Sequence, residues 1–193
     1  MRRAAARVAA IACLSCAACR ESTAPEAPAT PPIARCLERS GDVRGHAARD
    51  LVWNPLERGA ALSAGDWVRT GRGSSATIGF SSGEMLAVAE ASTIVVHGPS
   101  EDATTREFSG RVVVVGGVVR GAVRSGGGTR TIVVESTEGR QLRFTPRDAS
   151  GFDYRVTASE DGRLEVAVTR GAAEIVAADG SRRTLAAGEV GDV

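Results

Sequence analysis

The residues of this 193-residue chain whose types could do chemistry are few and widely spaced. His46 and His97 are the only imidazoles. No His-Glu-x-x-His run joins either to an acid, so a zinc hydrolase with two or three His ligands is not expected. Each reads as a surface residue at a strand end. Cys36 is the one thiol beyond the first twenty residues, and its place beside a Pro-rich stretch suits packing better than nucleophilic attack. No Gly-x-Ser-x-Gly elbow supports a serine nucleophile. Gly126-Gly127-Gly128 lacks the Lys-Ser/Thr that a phosphate loop requires.

Paired carboxylates need more thought, because glycoside hydrolysis asks only for two acids roughly 5 to 10 Å apart. Asp66, Glu84, Glu90, Asp153 and Glu165 are available. They fall at turns or on the polar phase of alternating segments, where a solvated face accounts for them. A sugar cleft built by ring stacking would need Trp53, Trp67 and Tyr154 to converge. Trp53 is expected to pack against the start of the domain, and Trp67, between Asp66 and Val68, to seal a core edge, with an exposed ring as the alternative. The site chemistry therefore comes out empty: no catalytic, cofactor-binding or metal residue is assigned, and the expectation is a protein that is not an enzyme.

The elements that carry these residues are strands. Beyond residue 60 the apolar period is two: Ala76, Ile78 and Phe80 alternate with polar neighbours, as do Phe152, Tyr154 and Val156, and Leu164, Val166 and Val168. Gly-bearing turns punctuate them, including Ser82-Gly83-Glu84, Asp161-Gly162 and Asp179-Gly180. Val112 to Val115 and Val118-Val119 flank Gly116-Gly117, which predicts a bend or bulge. The stretch from His46 to Trp53 is expected to be a strand, or a strand plus loop. The fold class is all-β, a single domain of short strands packed as a sandwich or a solenoid.

The first twenty residues differ. Arg2, Arg3 and Arg7 precede the apolar run Val8 to Leu14, a leader pattern too short to span a bilayer as a stable helix. The ending, Ser15-Cys16-Ala17-Ala18-Cys19, resembles the bacterial lipoprotein box, which implies lipidation of Cys19. Cys16 and plain cleavage after Ala18 are the alternatives. Position 20 is Arg rather than Asp, which leans toward an outer-membrane lipoprotein on the periplasmic side of the envelope. Residues 20–35 carry most of the chain's seven Pro and read as an extended tether. The division is thus 1–19 leader, 20–35 tether and 36–193 β domain. Removal of the leader leaves 21 Arg against 23 acids, no footprint for nucleic acid.

One echo recurs. Leu62-Ser63-Ala64-Gly65-Asp66 near the start matches Leu185-Ala186-Ala187-Gly188-Glu189 near the end. The pattern suggests a repeated tight corner in which Gly takes a positive φ and the acid accepts backbone N–H bonds. Gly65, Asp66, Gly71, Gly83, Gly188 and Glu189 are assigned as structural turn residues.

The run Gly65-Asp66, Val68, Thr70-Gly71, Ser75-Ala76, Phe80 and Gly83, with the closing Val166-Ala-Val168-Thr-Arg-Gly171 and Gly188-Glu189, resembles the FecR-like domain. The resemblance covers roughly residues 59 to 190. That family often shows Gly-Thr-x-Phe where this chain has Gly151-Phe152-Asp153-Tyr154. Its signalling members carry a cytoplasmic segment and a membrane helix ahead of the domain, and neither is expected here. The reading is a non-catalytic binding or scaffolding module, anchored to the membrane by lipid, whose partner is an envelope protein or peptidoglycan, with no cofactor. The alternatives are an accessory regulator of a transmembrane signalling system and a glycan-active enzyme using paired carboxylates.

Overall fold

The computed structural model describes residues 31–98, 109–123, 131–147, 150–177 and 179–192. Cys19, residues 20–30 of the tether and Gly126 to Gly128 lie outside the described residues. Sixteen strands, and no helix, form among the described residues. The N-terminal part holds β1 (Ala34–Ser40), β2 (Val43–His46), β3 (Asn54–Pro55), β4 (Ala61–Leu62), β5 (Trp67–Thr70), β6 (Ser75–Phe80), β7 (Met85–Val88) and β8 (Thr93–His97). A 15-residue strand follows, β9 (Ser109–Val123). Then come β10 (Thr131–Ser136), β11 (Gln141–Pro146), β12 (Phe152–Ala158), β13 (Leu164–Arg170), β14 (Ala172–Ala177), β15 (Arg182–Ala186) and β16 (Val190–Asp192). The first strand takes in Ala34 and Arg35, so the sheet begins two residues earlier than residue 36.

Two sheets share β9. The front sheet runs β4-β1-β6-β7-β9-β12-β13-β16 and the back sheet β3-β2-β5-β8-β9-β10-β11-β14-β15. Pairing is antiparallel except between β9 and β10, which are parallel. The all-β, single-domain expectation stands, in its sandwich-like form: inward residues of both sheets fill one core. Phe144 of the back sheet stacks on Tyr154 of the front sheet at 5.0 Å and on Phe152 at 6.2 Å, joining the layers through aromatic contacts.

The predicted bend at Gly116-Gly117 is where β9 leaves one sheet for the other. Gly117 has φ +92°, and a Cβ there would collide with Ser92. The Ser92 hydroxyl occupies that space. It accepts the Val118 N–H at 2.9 Å and donates to the Glu90 carbonyl at 3.0 Å, covering backbone groups that the bend removes from the ladder.

His46 closes β2 and residues 47–53 form a loop, the strand-plus-loop form of the expectation. The Asp50 carboxylate accepts the Val52 N–H at 3.2 Å, and the Asp50 N–H donates to the Ala47 carbonyl at 2.9 Å, so local bonds turn the chain before any ladder forms.

Candidate functional site: an aromatic corner

The back sheet turns its polar phase outward, and at its β2–β5 end that phase is aromatic. Val43, Gly45, Val68 and Thr70 take the inward positions, which forces His46, Trp67 and Arg69 to the outer face. Register pairs His46 with Trp67 and Trp67 with Val95, so the three stand in one row across β2, β5 and β8. His46 stacks on Trp67 with centroids 5.5 Å apart, and Trp53 meets His46 edge-on at 4.5 Å. The Arg69 guanidinium lies 4.7 Å from the Trp53 ring centroid, a cation–π contact. All three rings are half-buried.

Two expectations are thereby corrected, and the three-ring sugar cleft does not form. Trp67 does not seal the core, because Val68 holds the inward phase beside it. His46 is not an ordinary surface residue, since two indoles pack against it. Trp53 and Trp67 do converge, but Tyr154 is buried in the core away from them.

The loop before Trp53 carries the exposed part of the corner. Leu51 is 94% exposed and Val52 60%. Asp66 pins this loop. Its Oδ1 accepts the Ala48 N–H at 3.1 Å while Oδ2 accepts the Ser63 N–H at 2.7 Å. Gly65, at φ +89°, passes so close to the loop that a Cβ would lie 2.8 Å from that of Ala48.

The second copy of the sequence echo builds the same corner with nothing to pin. In the first, the Gly65 N–H donates to Val96 O and the Asp66 N–H to Ser63 O; in the second, the Gly188 N–H donates to Val168 O and the Glu189 N–H to Ala186 O. The Glu189 carboxylate accepts the Ala186 N–H at 2.8 Å, as Asp66 does for Ser63. Gly188 has φ +89° and open space where its Cβ would be. The remaining turn assignments divide. Gly83 lies in the β6–β7 turn with positive φ. Gly71 does not have a positive φ; the left-handed residue of its turn is Gly73.

Cys36 is fully buried, its thiol donating to the Glu38 carbonyl at 3.4 Å, and burial pushes its pKa up. The carboxylates do not assemble. Asp66 and Glu90 accept backbone N–H groups at separate turns, Asp153 pairs with Arg170 at 2.7 Å, and Glu165 is exposed on β13. Glu84 overturns the solvated-face expectation, being only 2% exposed. Among the described residues no three His, Cys, Asp or Glu side chains are grouped to hold a metal, and no helix is long and apolar enough to cross a membrane.

His97 closes the outer row on β8, opposite Arg111. Burial and then the Arg111 charge depress its pKa below 6.5, with Glu135 opposing. The folded state therefore takes up fewer protons than the unfolded chain. His97 has no effect on stability well above pH 6.5 and subtracts from it as pH falls below that value. His97→Gln is expected to flatten the loss of stability between about pH 7 and 5, read from urea midpoints across that range.

No family model matches the chain. No curated protein matches it either. Two crystal structures of a candidate anti-sigma factor from Parabacteroides distasonis ATCC 8503 are weakly similar to it, at 19% and 17% identity with a TM-score of 0.47 for each. Each match covers 66% of this chain and 54% of the other, so the chain spans about half the length of the structures it matches.

Proposed function

We propose that this protein is a non-catalytic binding module of the cell envelope, a FecR-like domain that holds the aromatic corner toward a protein or peptidoglycan partner. The observation that carries the reading is the pinned loop. Leu51 and Val52 stand exposed in the loop that leads to Trp53, and the Asp66 carboxylate holds that loop by accepting the Ala48 N–H. A loop held in place loses little entropy on binding, and covering two aliphatic side chains contributes about 1.5–3 kcal/mol each. Half-buried Trp with an Arg stacked on it is the composition of an interface hot spot. The FecR-like assignment draws support from the quoted motif, whose Gly65-Asp66 and Gly188-Glu189 pairs form matching corners.

In this reading Cys19 carries the lipid and the Pro-rich tether gives the domain reach. Mass measurement of the mature N-terminus distinguishes lipidation at Cys19 from Cys16 or simple cleavage after Ala18. A photo-crosslinker at position 51 of the full chain, activated in intact cells, is expected to give one discrete adduct with an envelope component. Trp53→Ala with Trp67→Ala should weaken that adduct at least tenfold, and a crosslinker at Arg163, a turn residue of the front sheet, should give none. A position-51 crosslinker that yields only the diffuse products of the Arg163 control would sink the reading.

A further inference from the structure

A second site lies on the outer face of the front sheet, apart from the aromatic corner. Val119 and Val156 take the inward phase of β9 and β12, which sends Arg120 and Arg155 beside them to the solvent side. Register sets these two arginines directly opposite each other. Side chains so paired have Cβ atoms about 5 Å apart, and like charges there repel. Among the described residues neither guanidinium has an ion pair. Asp153, two residues before Arg155 on the same face, gives both its oxygens to Arg170, at 2.7 and 3.0 Å. Glu165 stands opposite Thr157, a step further along β12.

Beside this cation pair the sheet surface is low and apolar. A groove of about 330 Å³ is lined by Arg120 together with Met85, Ala87 and Ala122. Ala87 is the register partner of Arg120, and Met85 that of Ala122. Met85 also lines a second groove, of about 450 Å³, which reaches Gly79 and Leu37. Leu37 lies over Gly79 on this outer side, where a Cβ would be 2.7 Å from its Cδ1. Leu37 is 39% exposed and Met85 46%. The apolar path thus runs from the arginines on β12 and β9 across β7 and β6 to β1, four strand spacings or about 19 Å.

We propose that this face binds a lipid-like anion, a phosphomonoester head held between Arg120 and Arg155 with its alkyl chain lying along the path toward Leu37. Charge complementarity chooses the head. A phosphomonoester carries about −1.5 to −2 charges at neutral pH and three acceptor oxygens, a match for two guanidinia. A carboxylate offers one charge and two oxygens, which a single guanidinium already satisfies. The floor chooses the tail. A peptide would bring amides for which the side chains of Ala87, Ala122 and Met85 hold no partner, whereas an alkyl chain needs none. The bound head also relieves the repulsion between the two arginines.

Met1 and Met85 are the only methionines, so methyl-labelled Met85 reports on the path with a simple spectrum. The full chain is titrated with monomeric octyl phosphate, octanoate, octanol and methyl phosphate. Octyl phosphate is expected to shift the Met85 methyl saturably. Octanol and methyl phosphate should bind at least tenfold more weakly, and octanoate at least threefold. Arg120→Gln and Arg155→Gln should each weaken octyl phosphate binding at least fivefold. Neither should lower the thermal midpoint, because each removes one member of a repelling pair on an exposed face. No saturable Met85 shift with octyl phosphate, equal binding of any of the other three compounds, or an unchanged affinity in both Gln variants would each overturn the proposal.

Discussion

Gly121→Ala is expected to lower stability by about 3 kcal/mol or more, the upper end of what overpacking a core costs. Gly121 sits on β9 between Leu86 of β7 and Tyr154 of β12, and both neighbours are 1% exposed. An added Cβ would collide with Cζ and Oη of Tyr154. The ring has nowhere to go. Phe144 stacks on it at 5.0 Å and Phe152 lies 5.7 Å away. Burial, and secondarily the charge of Glu84, raises the Tyr154 pKa far above its ordinary value, so the phenol stays protonated and neutral in the core. Urea midpoints measure the loss, and Tyr154→Leu in the Gly121→Ala background should recover a large part of it, a coupling that a double-mutant cycle isolates. A Gly121→Ala protein within about 0.5 kcal/mol of the parent would mean that no ring crosses β9 there.

Asp66→Ala should cost about 2–3 kcal/mol and loosen the aromatic corner as well. Its carboxylate accepts two backbone N–H groups, Ala48 at 3.1 Å and Ser63 at 2.7 Å, and charge-assisted bonds of this kind contribute about 1.5–3 kcal/mol each before solvent weakens them. Glu189→Ala is the internal comparison. It removes one exposed bond, to Ala186, and should cost only about 1 kcal/mol. The two variants should also differ in fluorescence. Asp66→Ala releases the loop that leads to Trp53 and should shift and quench the indole emission, which Glu189→Ala leaves unchanged. Equal costs and unaltered emission would show that Asp66 is a corner residue and nothing more.

The parts of the molecule that the chain announces are those set by local alternation. Ala76-Ile78-Phe80 and Phe152-Tyr154-Val156 became inward faces of β6 and β12 because a period of two leaves a half-buried strand no other choice. The Gly-acid corners were legible for a similar reason, since a positive φ and a short acceptor act within four residues. What escaped depends on distant pairing. His46, Trp53 and Trp67 meet only because β2 aligns with β5, and no local pattern states that register. Trp67, between Asp66 and Val68, reads as a core-edge residue, yet Val68 beside it takes the inward position. Glu84 looked solvated because it follows a turn, but the turn delivers it inward beneath Phe80 and Ser82. The parallel pairing of β9 with β10 was invisible as well, because both runs of valine fit either direction.

The shared strand has a consequence for how the molecule comes apart. β9 gives one edge to β7 and β8, from earlier in the chain, and the other to β10 and β12, from later. Neither wing owns a complete layer without it. A cut between Gly116 and Gly117 would therefore leave two fragments that each lack half of a central ladder, and refolding should require both pieces together. Amide protons on this spine, such as those of Val112 and Val119, should be the last to exchange, at the rate of global opening rather than of any local breathing.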